Sequence, residues 1–133
     1  MIRTWWDAEA LVELVLGAEA ALAEYEDATQ LAALASVAVD VPGLLTTQTL
    51  PDLDELDRRL RVWDTLAGQL STVPLDEQLT EEARALVAEL RLPARHAWEL
   101  AGPLRVRMQW VVSGIDGLLT VAQMLGLRVA HLG

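Results

Sequence analysis

Acidic side chains are the most frequent groups in this sequence that could do chemistry. Twenty Asp and Glu residues stand beside ten Arg and two His residues in a chain of 133, with no Lys and no Cys. The lack of Cys excludes a disulfide framework, a thiolate metal site and a thiol nucleophile. The lack of Lys excludes a Schiff-base nucleophile. Any reaction chemistry therefore rests on carboxylates, arginines and the two histidines.

Six of the carboxylates in the first quarter of the chain suggest a metal site: Glu9, Glu13, Glu19, Glu24, Glu26 and Asp27. Carboxylate oxygens are ligands that Mg²⁺ accepts. The pair Glu24 and Asp27 matches the Glu-x-x-Asp half of a motif in helical nucleotide pyrophosphatases and is similar to MazG-type enzymes in that respect. The resemblance implies that Glu24 and Asp27 bind metal. The alternative is a solvated acidic helix face, and on that interpretation we expect no metal and no cofactor.

Arg91 and His96 form an Arg-x4-His spacing that is similar to the catalytic motif of helical HEPN-type ribonucleases. The resemblance implies that the pair activates a ribose hydroxyl and stabilises a phosphate. It covers these two residues, and Pro93 lies between them. The alternative is that His96 is a surface or capping residue at the start of a short helix. No complete set of nucleophile, base and orienting group is present, so whether the protein is an enzyme stays open, with the balance toward no.

Tryptophan and leucine positions indicate a surface for a partner. Adjacent positions on a helix diverge by about 100°, so Trp5 and Trp6 are not expected to face one core, and one of them is predicted to anchor an interface. Residues 52–71 carry apolar side chains at alternating spacings of three and four, a pattern typical of a helical seam that packs against another helix. The interface candidates are Trp5, Trp6, Leu53, Leu56, Leu60 and Trp63.

Helical periodicity dominates the reading of secondary structure. We predict helices over residues 4–38 with a break near 27–30, over 52–71 with Asp52 as N-cap, over 80–92, over 94–101 and over 103–125, and a loop over 39–51. Residues 104–112 alternate between apolar and polar types, which alone would favour a strand. A longer window places the polar residues from 105 to 123 on one helical stripe, so the helix is preferred, with Gly126 ending it.

The predicted fold class is therefore all-α: one domain over residues 1–133, built as a compact, up-and-down-like bundle of four main helices plus one short helix. Residues 108–127 have the length of a membrane span, but Asp116 lies in the middle, so we expect no membrane span. The first ten residues lack the basic and then apolar layout of a signal peptide, which favours a cytoplasmic protein.

Charge and composition lead to three hypotheses about function. The first is a non-enzymatic helical interaction or structural protein, which associates with itself or is a small subunit or adaptor of a protein complex. The second is a small hydrolase acting on a nucleotide or RNA. The third is an acidic mimic that inhibits a nucleic-acid-binding protein. A net charge of −10 opposes general binding of nucleic acid, because that binding depends on neutralising phosphates.

Overall fold

The computed structural model describes residues 2–48 and 50–133 and shows a mixed α/β fold. Met1, and Thr49 within the predicted loop, lie outside the described residues. The strands are β1 (Arg3–Trp6), β2 (Gln30–Leu34), β3 (Leu70–Val73), β4 (Trp110–Ser113) and β5 (Arg128–His131). The helices are α1 (Ala8–Val15), α2 (Glu19–Asp27), α3 (Val37–Thr47), α4 (Leu53–Ala67), α5 (Glu77–Leu90), α6 (Ala94–Arg105) and α7 (Asp116–Met124). The strands form one parallel sheet in the order β3-β2-β1-β4-β5.

The prediction of an all-α bundle is wrong, and the buried sheet explains why. Helices α1 to α4 contribute to an apolar cluster on one face of the sheet, and α5 to α7 contribute to a second cluster on the other face. Strands covered on both faces are apolar throughout rather than alternating. Strands of four or five residues can therefore be mistaken for parts of a helical stripe.

Trp5 and Trp6 illustrate the difference between a helix and a strand. Both side chains are fully buried, at 0% exposure, although they are adjacent in the chain. Successive side chains of a strand point to opposite faces of the sheet. Trp5 accordingly packs in the cluster with α5 to α7, and Trp6 packs in the cluster with α1 to α4. The two rings therefore do not share one core, but both are buried rather than one of them being exposed as an interface anchor.

The secondary structure of three segments differs from the prediction. Residues 4–38 form β1, α1, α2 and β2 rather than a helix with a break. The predicted loop over 39–51 contains most of α3, which accommodates Pro42 in its interior. The predicted helix over 103–125 is divided into the end of α6, strand β4 and α7, and of the alternating residues 104–112 only the last three lie in the strand. Gly126, with a φ of +86°, follows the C-cap of α7 as predicted.

Predicted helix starts and caps agree more closely with the structure than the predicted fold class does. Asp52 is the N-cap of α4 and accepts a hydrogen bond from the Glu55 backbone N–H at 2.8 Å. The helix ends at Ala67, however, and Leu70 begins β3 instead of continuing a seam. Residues 80–92 lie mostly within α5, but its N-cap is Asp76. The short helix over 94–101 is α6, which continues to Arg105.

The expectation of no membrane span agrees with the described residues, since none of their helices combines the length and apolarity that crossing a bilayer requires.

Candidate functional site

The order of the strands creates a switch point between β1 and β4. The chain leaves β1 toward the helices on one face and leaves β4 toward the helix on the other face. In open parallel sheets, ligands bind outside the carboxyl ends of the strands at such a point, because the two connections diverge and leave a crevice. The carboxyl ends of β1 and β4 are therefore where a site is expected.

Asp7 follows β1 directly and links the two strands at this point. Its Oδ1 accepts a hydrogen bond from the Ala10 backbone N–H at 2.8 Å, which makes it the N-cap of α1. Its Oδ2 accepts a short hydrogen bond from the hydroxyl of Ser113, the last residue of β4. The carboxyl group is fully buried, and burial raises its pKa although both hydrogen bonds act to lower it. Asp7 is thus a fixed, desolvated carboxyl group at the switch point.

A cleft of about 730 Å³ opens beside Asp7, and we call it the carboxyl-edge cleft. It lies at the carboxyl ends of the first three strands, between α3 and α6. Its lining residues are Ala8, Glu9, Leu34, Ser36, Val39, Asp40, Gly43, Leu44, Thr47, Leu75, Arg95, Trp98 and Glu99. Two features stand out among them: apolar walls, including Val39 with 76% of its surface exposed, and three carboxyl groups.

Glu99 is the most perturbed carboxyl group of the cleft. It is only 7% exposed, and its Oε2 accepts a hydrogen bond from Nε1 of Trp5 at 2.8 Å. Burial is the largest cause that raises the pKa of Glu99, to about 8, and the negative charges of Asp7 and Glu9 raise it further. The hydrogen bond from Trp5 and the charge of Arg95 oppose the increase. Glu99 therefore carries a proton over much of the neutral range.

Arg95 is the cation of the cleft. Its guanidinium forms an ion pair with Glu9 across the gap between α6 and α1. The charges of Asp7 and Glu99 also act on it. Its side chain remains 53% exposed, so the pair is screened by water and contributes little to stability. With Asp40 exposed on α3, the cleft holds more acidic than basic groups.

The carboxyl groups are of the type that binds Mg²⁺, but their placement does not fit that ion. Across residues 2–48 and 50–133, no three His, Cys, Asp or Glu side chains are grouped so that they could hold a metal. Glu24 and Asp27, the pair predicted from the sequence, lie on α2 away from the cleft lining. The expectation of no cofactor stays a prediction.

The predicted Arg91 and His96 pair is divided between two elements. Arg91 is the C-cap of α5 with a left-handed φ of 53°, whereas His96 lies in the first turn of α6. His96 packs toward Gly117, where an added Cβ would lie 3.5 Å from its Cε1 atom. Neither residue lines the carboxyl-edge cleft.

The six interface candidates differ in their burial. Trp5, Trp6 and Trp63 are buried, whereas Leu56 and Leu60 are half-buried. Leu53 is 83% exposed at the start of α4. Of these candidates, the leucines are the ones with surface to offer a partner.

Sequence reasoning missed Asp7, Asp40, Glu99 and Ser113 as one group. The usable signal was a polar residue directly after a short apolar run: Asp7 after Trp5 and Trp6, and Ser113 after residues 110–112. Reading those runs as strands would have placed both residues at one edge of a parallel sheet.

Comparison with known proteins supplies structural neighbours. No family profile and no curated protein matches the chain. A chain of a toxin–antitoxin complex from Klebsiella pneumoniae is similar in structure, with a TM-score of 0.66, 18% identity, and coverage of 84% of this chain and 86% of that one. PAE2754 from Pyrobaculum aerophilum has a TM-score of 0.68, 17% identity, and coverage of 97% and 90%. These likenesses show the fold alone.

Proposed function

We propose that the protein is a partner-binding protein whose carboxyl-edge cleft receives a basic side chain of another protein. The observation that carries the proposal is the lining of the cleft, where the carboxylates of Glu9 and Asp40 and the protonated carboxyl group of Glu99, which can still accept a hydrogen bond, lie beside apolar walls. An Arg or Lys side chain has an apolar stem and a cationic head, which complements such a lining. Arginine is the better fit, because its planar guanidinium pairs with carboxylates through two hydrogen bonds.

The structural neighbour from Klebsiella supports a protein partner. That chain belongs to a toxin–antitoxin complex, so a protein of this fold occurs in an assembly of two components. Exposed apolar residues at the rim, Val39 and Leu75, add surface that a partner would cover. A second copy of this chain is the other partner that the sequence predicted, and light scattering distinguishes it from a monomer of 14.6 kDa.

A pair of peptides tests the cleft. We expect acetyl-Leu-Arg-Leu-amide to bind in calorimetry, and the citrulline analogue, which has nearly the same shape without the charge, to bind much more weakly. Asp40→Asn and Glu9→Gln should each lower the affinity about threefold to tenfold, because each removes one partly screened attraction. The loss should diminish as salt is added.

Asp64→Asn is the matched control, because Asp64 is an exposed acid on α4 outside the cleft. It changes the net charge by the same amount and should leave the affinity unchanged. Equal affinity for the arginine and citrulline peptides, or no binding of either, would contradict the proposal.

Hydrolysis of a phosphodiester is the second candidate function. It is favoured by two buried carboxyl groups with raised pKa values, Asp7 and Glu99, at a switch point. Such perturbed groups concentrate at catalytic sites, and a protonated Glu99 has the state that a general acid requires near neutral pH. The acidic lining of the cleft makes this the second candidate, because carboxylates repel the phosphates of a nucleic acid.

Cleavage of a labelled single-stranded RNA, with and without added Mg²⁺ or Mn²⁺, tests this second function. If the protein is a hydrolase, Glu99→Gln and Asp7→Asn should each reduce turnover about 100-fold or more, the usual contribution of a general acid or base. Glu89→Gln, an exposed change on α5, is the control. Turnover that is missing, or equal in all variants, would reject hydrolysis by these groups.

A further inference from the structure

The amino edge of the sheet, opposite the carboxyl-edge cleft, carries a concentration of arginines. Arg3 and Arg128 begin β1 and β5, and Arg107 lies just before β4. Parallel strands begin at one edge of their sheet, so the topology brings these residues to the same side of the molecule. The edge is unusual in a chain whose net charge is −10.

These arginines lack the carboxylate partners that other arginines have. Arg58, Arg59, Arg61, Arg95 and Arg105 form ion pairs with Asp or Glu. Within residues 2–48 and 50–133, no carboxylate lies within ion-pair distance of Arg3, Arg107 or Arg128. Their positive charges are therefore available to an anion.

Arg3 is held in place by neutral groups. Its Nε donates to Oε1 of Gln30 at 3.0 Å, and its two terminal nitrogens donate to the backbone carbonyls of Val106 and Arg107 at 2.9 and 3.2 Å. These bonds use one N–H donor of each guanidinium nitrogen without neutralising the charge. They also fix the segment that carries Arg107, whose backbone adopts a left-handed φ of 56°.

A pocket of about 450 Å³ is lined by Arg128 and by Ile2 and Met108, the chain neighbours of Arg3 and Arg107, and its lining is aromatic, apolar and basic. The lining residues are Ile2, Met108, Gln109, Trp110, Gly126 and Arg128. The half-buried ring of Trp110 lies 5.8 Å from the guanidinium carbon of Arg128, a cation–π contact. The lining contains no carboxylate, which distinguishes this pocket from the carboxyl-edge cleft.

We propose that this pocket, with Arg107 beside it, binds a nucleotide unit. Arg107 and Arg128 contact the phosphate, and the base stacks on Trp110. The amide nitrogen of Gln109, whose Oε1 accepts a hydrogen bond from the Arg3 backbone N–H at 3.4 Å, donates to the edge of the base. Stacking on aromatic side chains combined with basic contacts to the backbone is how proteins bind single-stranded nucleic acid. The net charge opposes general binding, but the local field at this edge is set by its unpaired arginines. The inference uses no residue of the carboxyl-edge cleft and is independent of the function proposed there.

Binding assays with AMP and with a short labelled single-stranded homopolymer test the proposal. We expect both to bind at low salt, and tighter binding of the polymer would identify a strand rather than a free nucleotide as the natural source. Arg107→Ala and Arg128→Gln should each weaken binding of the polymer about tenfold and reduce its salt dependence, because each removes a phosphate contact. Trp110→Leu should weaken binding by at least as much, and Trp110→Phe should preserve most of it.

Arg84→Ala is the matched control, because Arg84 is an exposed arginine on α5 with no ion pair among the described residues. It makes the same change in net charge and should leave binding unchanged. If Trp110→Leu also lowers the melting temperature, its weaker binding is not evidence for stacking, and the binding measured for Arg107→Ala and Arg128→Gln tests the proposal instead. Competition by inorganic phosphate as strong as that by AMP would show that the base is not recognised, and that result would overturn the proposal. So would equal weakening by Arg84→Ala, or no binding of AMP and polymer.

Discussion

The free energy of unfolding is expected to fall as the pH rises from about 4.5 to about 8, and Glu99→Gln is expected to remove most of that fall. The ordinary pKa of 4.5 applies in the unfolded chain, whereas burial raises the pKa of Glu99 to about 8 in the folded protein. Between these values the folded state binds more protons than the unfolded state, so stability decreases with increasing pH. The contribution is complete below about 4.5 and is lost as the pH passes about 8.

The expected size is large because Glu99 is almost fully buried. The difference between 4.5 and about 8 corresponds to an upper value on the order of 5 kcal/mol. A Gln side chain stays neutral at every pH, and its carbonyl oxygen can still accept the hydrogen bond from Trp5. The variant should therefore be more stable than the wild type at pH 8. Burial also raises the pKa of Asp7, so a smaller decline of the same sign should persist.

Urea unfolding at a series of pH values measures this effect. Glu89→Gln, an exposed substitution on α5, should leave the profile of the wild type unchanged. Parallel profiles for the wild type and Glu99→Gln would show that Glu99 is ionised in the folded protein at neutral pH, contrary to the prediction.

The features that sequence reasoning found correctly depend on residues close together in the chain. Asp52 caps α4 through Glu55, three positions away, and Gly126 ends α7 through its own backbone conformation. Ion pairs within α4 are local in the same way: Glu55 pairs with Arg58 and Arg59, and Asp57 pairs with Arg61, three or four positions apart. Such features follow from the geometry of one helical turn.

The sheet and the site depend on contacts that are distant in the chain. The hydrogen bond from Ser113 to Asp7 joins residues 106 positions apart, and the bond from Trp5 to Glu99 joins residues 94 positions apart. Neither pairing has a local signature, and the strands that create them are too short to outweigh a helical pattern. The raised pKa of Glu99 follows from its burial, which the fold determines and the residue type does not.

Gly102 shows how closely α6 packs on the sheet, and Gly102→Ala is expected to lower the free energy of unfolding by about 2 to 3 kcal/mol. A Cβ atom there would lie 2.2 Å from Cη2 and 2.4 Å from Cζ2 of Trp5. The Trp5 ring is fully buried, and its Nε1 donates a hydrogen bond to Glu99, which lies on the same face of α6 as Gly102. The ring therefore has no free space into which it could move. The higher helix propensity of Ala offsets only about 1 kcal/mol of the cost.

Gly43→Ala on α3 is the matched control, because nothing lies within 4 Å of its added Cβ. It should raise stability by about 0.5 to 1 kcal/mol, since Ala restricts the unfolded chain and favours a helix. In the Gly102→Ala background, Trp5→Phe should cost less than it does in the wild type, because the smaller ring relieves the overlap that the new methyl group creates. Additive losses in that double-mutant cycle would mean that Trp5 and residue 102 do not compete for the same space. The cost of Gly102→Ala would then come from contacts other than the one with Trp5.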